Sequence, residues 1–221
     1  MITSHERVAA QYEVPSIYLA KEVAERIHAG EFTWADDFKD LHPSPFGHRL
    51  YADSVGRMLD AVWARDSAAE PVDHPLPAPL DEKSYFRGRL LDVAGAAADD
   101  GWRLDPAWRT EDGVVSRIND VPMLICEQPG PRLRLEFQGT AVGLYLAAGP
   151  DAGIVEFSVD GSPVERRDLF TPWSANLHLN WVQVLAADLH PGKHELLLWM
   201  SASQNESSKG HAARIAHFVA N

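Results

Sequence analysis

The residues best able to do chemistry are gathered in Asp40-Leu41-His42-Pro43-Ser44-Pro45-Phe46-Gly47-His48. An imidazole is the side chain suited to taking and returning a proton near neutral pH. Ser44 is a helix N-cap residue, and Pro45 fits the first helical position, where a missing N–H is no loss. Leu50, Tyr51, Val55, Met58, Leu59 and Val62 then recur at helical spacing. The spacing therefore predicts a loop histidine, His42, mounted just ahead of a helix, as a general base would be. The plainer alternative is a loop histidine that only bonds a neighbouring backbone group. The letters Asp-Leu-His-Pro recur at Asp188-Leu189-His190-Pro191, followed by Gly192 and flanked by strand-like runs. That second copy reads as a hairpin loop, so context and not the motif distinguishes His42 from His190.

Two further kinds of chemistry are open. His42, His48, Asp36, Asp37 and Asp40 are oxygen and nitrogen donors within thirteen residues, but they match no helix-borne metal-ligand spacing; a solvated acidic loop is the expectation, with no metal and no cofactor. His190 and His194 straddle a turn and share no helical face. Trp102, Trp108, Trp173 and Trp181 lie in the C-terminal half. Large aromatics at strand positions belong to a core, whereas Trp173, in the loop-like Asp168–Ser174 segment, is the candidate for an exposed contact to a sugar ring.

A nucleophilic ester hydrolase also needs a serine on a sharp turn and an oxyanion hole. No Gly-Asp-Ser and no Gly-x-Ser-x-Gly occurs in the sequence. Asp160-Gly161-Ser162 reads as a turn, and Arg117-Ile118-Asn119-Asp120 lacks a glycine. On His5-Glu6-Arg7-Val8-Ala9, Tyr12-Glu13-Val14-Pro15-Ser16-Ile17 and Asp40-Leu41-His42-Pro43 with Gly47-His48 and Tyr51-Ala52, the first part resembles the C-terminal end of an SGNH (GDSL-type) hydrolase domain. The resemblance implies a serine ester hydrolase acting on carbohydrate or acetyl esters. His42 would be its catalytic base, and the nucleophile and oxyanion blocks would come from an upstream segment. The family's aspartate stands three residues before the histidine, where this sequence has Lys39; Asp40 is the nearest substitute, with Asp37 behind it. The C-terminal half resembles the β-sandwich modules fused to some SGNH carbohydrate esterases, in its strand pattern and in Gly149-Pro150-Asp151-Ala152-Gly153. The alternative is a non-catalytic carbohydrate-binding or interaction protein in which the sandwich is the working part.

These residues need elements to hold them. Residues 4–12 suggest a short helix, Pro15–Leu19 a short buried strand, and Val23, Ala24 and Ile27 a helical face that Gly30 ends. One strand and three helices do not complete an α/β sheet. Residues 1–65 therefore read as a partial α/β segment, 66–84 as a proline- and alanine-rich linker, and 85–221 as an antiparallel β-sandwich or jelly roll. The sandwich reading rests on the alternation of Leu133, Leu135 and Phe137 with Arg132, Arg134 and Glu136, and on strands ending at Asp160-Gly161. The whole is a two-part α+β chain of 221 residues, 45% of them hydrophobic, which is ample for a core. A net charge of −12 argues against a nucleic-acid or anionic-membrane partner. A lone Cys126 permits no intrachain disulfide and suits a core position. No signal peptide is visible at the N-terminus, and no apolar run approaches membrane-spanning length.

Overall fold

A computed structural model describes residues 2–65, 73–110 and 113–221, so residues 66–72 of the expected linker lie outside the described residues. The chain divides into two compact units, Met1–Glu82 and Lys83–Asn221. The first is helical: α1 (Ile2–Gln11), α2 (Leu19–His28) and α3 (Pro45–Trp63), with a single π-turn at Trp34–Phe38. Ser44 caps α3 by accepting from the Gly47 N–H, and Pro45 opens the helix, as the residue types dictate. Gly30, at φ 76°, ends α2. Val23, Phe32, Phe38 and Leu50 form a small core, and the Glu22 carboxylate joins α2 to α3 by accepting from Ser54 Oγ (2.6 Å) and the Arg57 guanidinium (2.5 Å). Pro15–Leu19 is not a strand. It runs without a strand partner among the described residues, its side chains are exposed or half-buried, and Leu19 already belongs to α2. A strand needs a neighbouring edge to satisfy its backbone, and none of the described residues of this unit forms one.

The second unit is a two-layer antiparallel sandwich. Its strands are β1 (Arg89–Asp92), β2 (Ala97–Ala98), β3 (Arg103–Trp108), β4 (Val115–Ser116), β5 (Val121–Cys126), β6 (Arg132–Gly139), β7 (Val142–Ala148), β8 (Ile154–Val159), β9 (Glu165–Asp168), β10 (Leu177–Ala186), β11 (Gly192–Met200) and β12 (Ala213–Ala220). One sheet runs β3-β5-β12-β7-β10-β4 with β1 also on β12; the other runs β2-β6-β11-β8-β9. All these pairings are antiparallel except the two-residue β10–β4 contact.

Period-2 patterning explains the layers. Leu133, Leu135 and Phe137 point inward from β6 while Arg132, Arg134 and Glu136 stay exposed, and they meet Leu144, Leu146, Leu196, Leu198, Ile215 and Phe218 between the sheets. Met123 and Ile125 alternate with Leu124 and Cys126, so they serve a second apolar cluster with Trp108, Ile118 and Ala147. Cys126 is buried, as its neighbours suggest. Asp160 and Gly161, at φ 52° and 73°, make the tight β8–β9 turn, closed by Ser162 N–H on the Val159 carbonyl. The Gly149–Gly153 phrase is a junction: Asp151 pairs both guanidinium nitrogens of the buried Arg214 (2.8 and 2.7 Å), and Arg214 lies over the Trp108 ring. Burial raises the Asp151 pKa, but the Arg214 hydrogen bonds outweigh it and hold the carboxyl below its ordinary range.

The second Asp-Leu-His-Pro copy is not a hairpin loop. β10 lies in one sheet and β11 in the other, so residues 187–191 cross between layers, in jelly-roll fashion. Pro191-Gly192 turns the chain, but the apolar faces on either side of it need opposite layers. The His190 carbonyl accepts from His194 Nε2 (2.7 Å), while His194 Nδ1 donates to Asp160 Oδ2 (2.6 Å) and Asp160 Oδ1 accepts the Glu195 N–H (2.8 Å). An acceptor at each ring nitrogen favours the protonated ring of His194: the Asp160 bond raises its pKa against the opposing pull of burial, and the same bond lowers that of Asp160. Glu136 and Lys193 line the same hollow.

Two outcomes follow from this packing. Residues 85–221 should fold alone and residues 1–65 should not, because α1 buries no residue and the helical core has four buried apolar members among the described residues. Hydrogen exchange on the separately expressed pieces checks this, and cooperative protection in the N-terminal piece would contradict it. The raised His194 pKa contributes stability below the unfolded value, near 6.5, that is lost as pH rises through the folded value. Urea midpoints should therefore fall on the alkaline side, and the fall should shrink in His194→Gln. An equal fall in that variant would show that the His194 bonds do not carry the pH dependence.

Candidate functional site: the histidine loop

Residues 33–44 carry the candidate chemistry, and their shape follows from a few local bonds. Thr33 opens the π-turn: its Oγ1 accepts from the Asp36 N–H (3.1 Å), and its own N–H donates to Asp37 Oδ2 (2.8 Å). The turn closes when the Lys39 N–H donates to the Trp34 carbonyl (2.6 Å). Lys39 then takes φ 85° and ψ −73°, a conformation that non-glycine residues rarely hold without outside constraint. That constraint comes from the start of α3. The Ser44 N–H donates to the Phe38 carbonyl (2.9 Å), and Ser44 Oγ both donates to the Asp37 carbonyl and accepts from the Gly47 N–H.

Phe38 is the anchor beneath. It is 1% exposed and meets the Tyr51 ring edge-on at 5.5 Å, while Phe32 packs edge-on against Phe46 at 5.0 Å. Gly47 lets the helix lie directly on this anchor. A Cβ there would stand 2.8 Å from Pro43 Cβ and 3.0 Å from two Phe38 ring carbons.

His42 stands out from this base with its side chain 88% exposed. The Asp40 carboxylate accepts the His42 backbone N–H at 2.6 Å and lies 3.6 Å from His42 Nδ1, too far for a hydrogen bond. Asp40 thus braces the loop as an Asx turn. Asp36 and Asp37 are both engaged with Thr33. Exposed His48 lies on α3. Among the described residues, no three His, Cys, Asp or Glu side chains are grouped to hold a metal ion.

Three serines of this unit have defined partners. Ser44 is the cap, Ser54 donates to Glu22, and Ser16 Oγ donates to Glu6 (2.7 Å). In the sandwich, Trp102 and Trp108 are core residues, whereas Trp173 is 69% exposed. It projects from the Pro172–Ser174 turn, which reciprocal Thr171 and Ser174 hydrogen bonds fix, and it stacks on Trp181 with centroids 6.4 Å apart and planes at 17°. Asn119-Asp120 is structural: Asp120 pairs both sides of the Arg109 guanidinium (2.5 and 2.7 Å).

Sequence reasoning missed Trp34, which is 47% exposed and stacked on Phe38 at 4.9 Å. The signal was present in Thr33-x-x-Asp36, a capping pattern with an aromatic inside it. It also missed Gly47, whose role appears only once Phe38 is known to lie beneath it. Gly47→Ala should loosen the loop at an overpacking cost of about 1–3 kcal/mol. Faster amide exchange at Lys39 and Ser44, with the sandwich amides unchanged, is the expected result; unchanged exchange at both would show that the contact does not hold the loop.

No protein-family model matches the chain, and no curated protein sequence does. Solved structures do. The fold matches a two-domain esterase active on acetylated mannans, co-crystallised with mannopentaose: TM-score 0.71 and 18% identity, over 98% of this chain and 57% of the esterase. A second crystal structure of a two-domain esterase active on acetylated mannans gives TM-score 0.73 and 17% identity, over 98% and 58%. The chain therefore spans a little under three fifths of the length of these esterases, and it shares the fold of that part.

Proposed function

We propose that this chain is the C-terminal part of an SGNH-type serine ester hydrolase acting on carbohydrate or acetyl esters. His42 is the general base, Asp40 is the carboxylate that orients it, and Trp173 is a glycan contact. The observation that carries the reading is an accessible imidazole on a loop fixed at both ends, immediately before a capped helix. The fold likeness to mannan-active esterases supports a glycan ester as the substrate.

In this reading the nucleophilic hydroxyl and the oxyanion donors come from polypeptide outside the present sequence, which has no Gly-Asp-Ser. His42 takes the hydroxyl proton as the oxygen attacks the ester carbonyl, then returns it to the departing sugar oxygen, leaving an acyl-enzyme. It next deprotonates the water that releases the acid. Asp40 turns from the His42 backbone to Nδ1 and fixes the ring's tautomer. No cofactor takes part.

The second reading, a non-catalytic glycan-binding protein, rests on the exposed Trp173, stacked on the half-buried Trp181. Hydrolysis separates the two. The 221-residue chain alone should cleave an activated acetate ester no faster than free imidazole at the same concentration. Extended upstream with a Gly-Asp-Ser-bearing segment, it should gain several orders of magnitude, lose nearly all of that in His42→Ala, and change little in His190→Ala. Saturable turnover by the chain alone, or equal losses in the two variants, would overturn this assignment.

A further inference from the structure

We infer that Trp34 is a stacking platform for an uncharged hexopyranose ring, on the same loop as His42. The inference rests on the carbohydrate-ester reading and names a recognition residue within it. Three aromatics enter this loop. Phe32 and Phe38 are buried at 7% and 1% exposure, while Trp34 keeps 47%. Its exposure is not that of a loose side chain. One face of the indole lies on Phe38, with planes 21° apart, and Phe38 is itself pinned against Tyr51 and the helical core. The other face is therefore turned outward and flat. Its backbone is fixed by the Thr33 cap and the Lys39 N–H, so little conformational freedom remains to be lost when a ring stacks on it.

The surrounding charges select the sugar. Between Thr33 and His42 stand the carboxylates of Asp36, Asp37 and Asp40 against one ammonium, that of Lys39. Asp36 and Asp37 are exposed, and each accepts from Thr33 through Oδ2, which leaves carboxylate lone pairs for sugar hydroxyl donors. The same carboxylates repel an anionic ring. An apolar sugar face on the indole, hydroxyls on the aspartates and exclusion of uronates together describe a neutral hexopyranoside.

The test titrates the full 221-residue chain with unesterified mannopentaose and, separately, with an oligogalacturonate of equal length. The indole N–H resonances are followed by NMR, with the Trp34 signal assigned by its loss in Trp34→Phe. Saturable movement of the Trp34 signal with mannopentaose and none with the galacturonate is expected. Trp34→Ala should weaken mannopentaose binding about three- to tenfold, the worth of an aromatic stacking contact, and Trp34→Phe should keep most of it. A Trp34 signal unmoved at saturation, unchanged affinity in Trp34→Ala, or equal binding of the anionic ligand would overturn the platform. Because neither ligand carries an ester, the result is independent of hydrolysis. A responsive Trp34 with an inactive extended chain would fell the esterase reading alone, and an active extended chain with a silent Trp34 would fell only the platform.

Discussion

The contact between Gly47 and Phe38 is the constraint on which the candidate site depends. Burial of one phenyl ring under the first turn of α3 fixes where the helix begins, and the helix start fixes Ser44. Ser44 in turn ties down the carbonyls of Asp37 and Phe38. Lys39 is then forced to a positive φ, and Leu41 and His42 are thrust into solvent. Conformational strain of this kind persists only where neighbouring contacts over-determine it. Here those contacts are one apolar anchor and a short chain of hydrogen bonds, and the outcome is an exposed imidazole with a defined root.

The sandwich relies on a different economy. Its apolar layers follow from alternation, but its loops are joined by a few ion pairs in defined places. Arg214 links the β7–β8 loop to β12 through Asp151, and His194 links the β8–β9 turn to the layer-crossing segment at His190. Arg214 is buried with a bidentate partner, the arrangement in which losing one member leaves an uncompensated charge. His194 differs in that its charge can be titrated away.

What was legible in the sequence divides along physical lines. The cap and proline of α3, the alternation of β6, the Asp160-Gly161 turn and the burial of Cys126 were all readable, because each depends on residues adjacent or two to four apart. Pro15–Leu19 misled because five residues of strand-like composition say nothing about a neighbouring edge. The second Asp-Leu-His-Pro misled because a turn signal does not reveal whether the strands it joins pair or part. In the site, the exposed setting of His42 followed from its loop. The bond from Asp40 to backbone in place of imidazole did not, since a carboxylate two residues before the histidine lies near both groups. Trp34 was passed over because an aromatic in an acidic loop does not declare which of its faces is covered.

His42, held on this loop, is proposed as the base of an ester hydrolase. The most direct measurement is a crystal structure of the protein extended with a nucleophile-bearing segment and trapped with a phosphonate ester on the reactive serine. His42 Nε2 should stand within about 2.6–3.2 Å of the modified serine oxygen. The Asp40 carboxylate should lie within hydrogen-bond distance of Nδ1, closer than the present 3.6 Å. A phosphonylated serine with the His42 ring beyond hydrogen-bond reach, and another base in its place, would contradict this role.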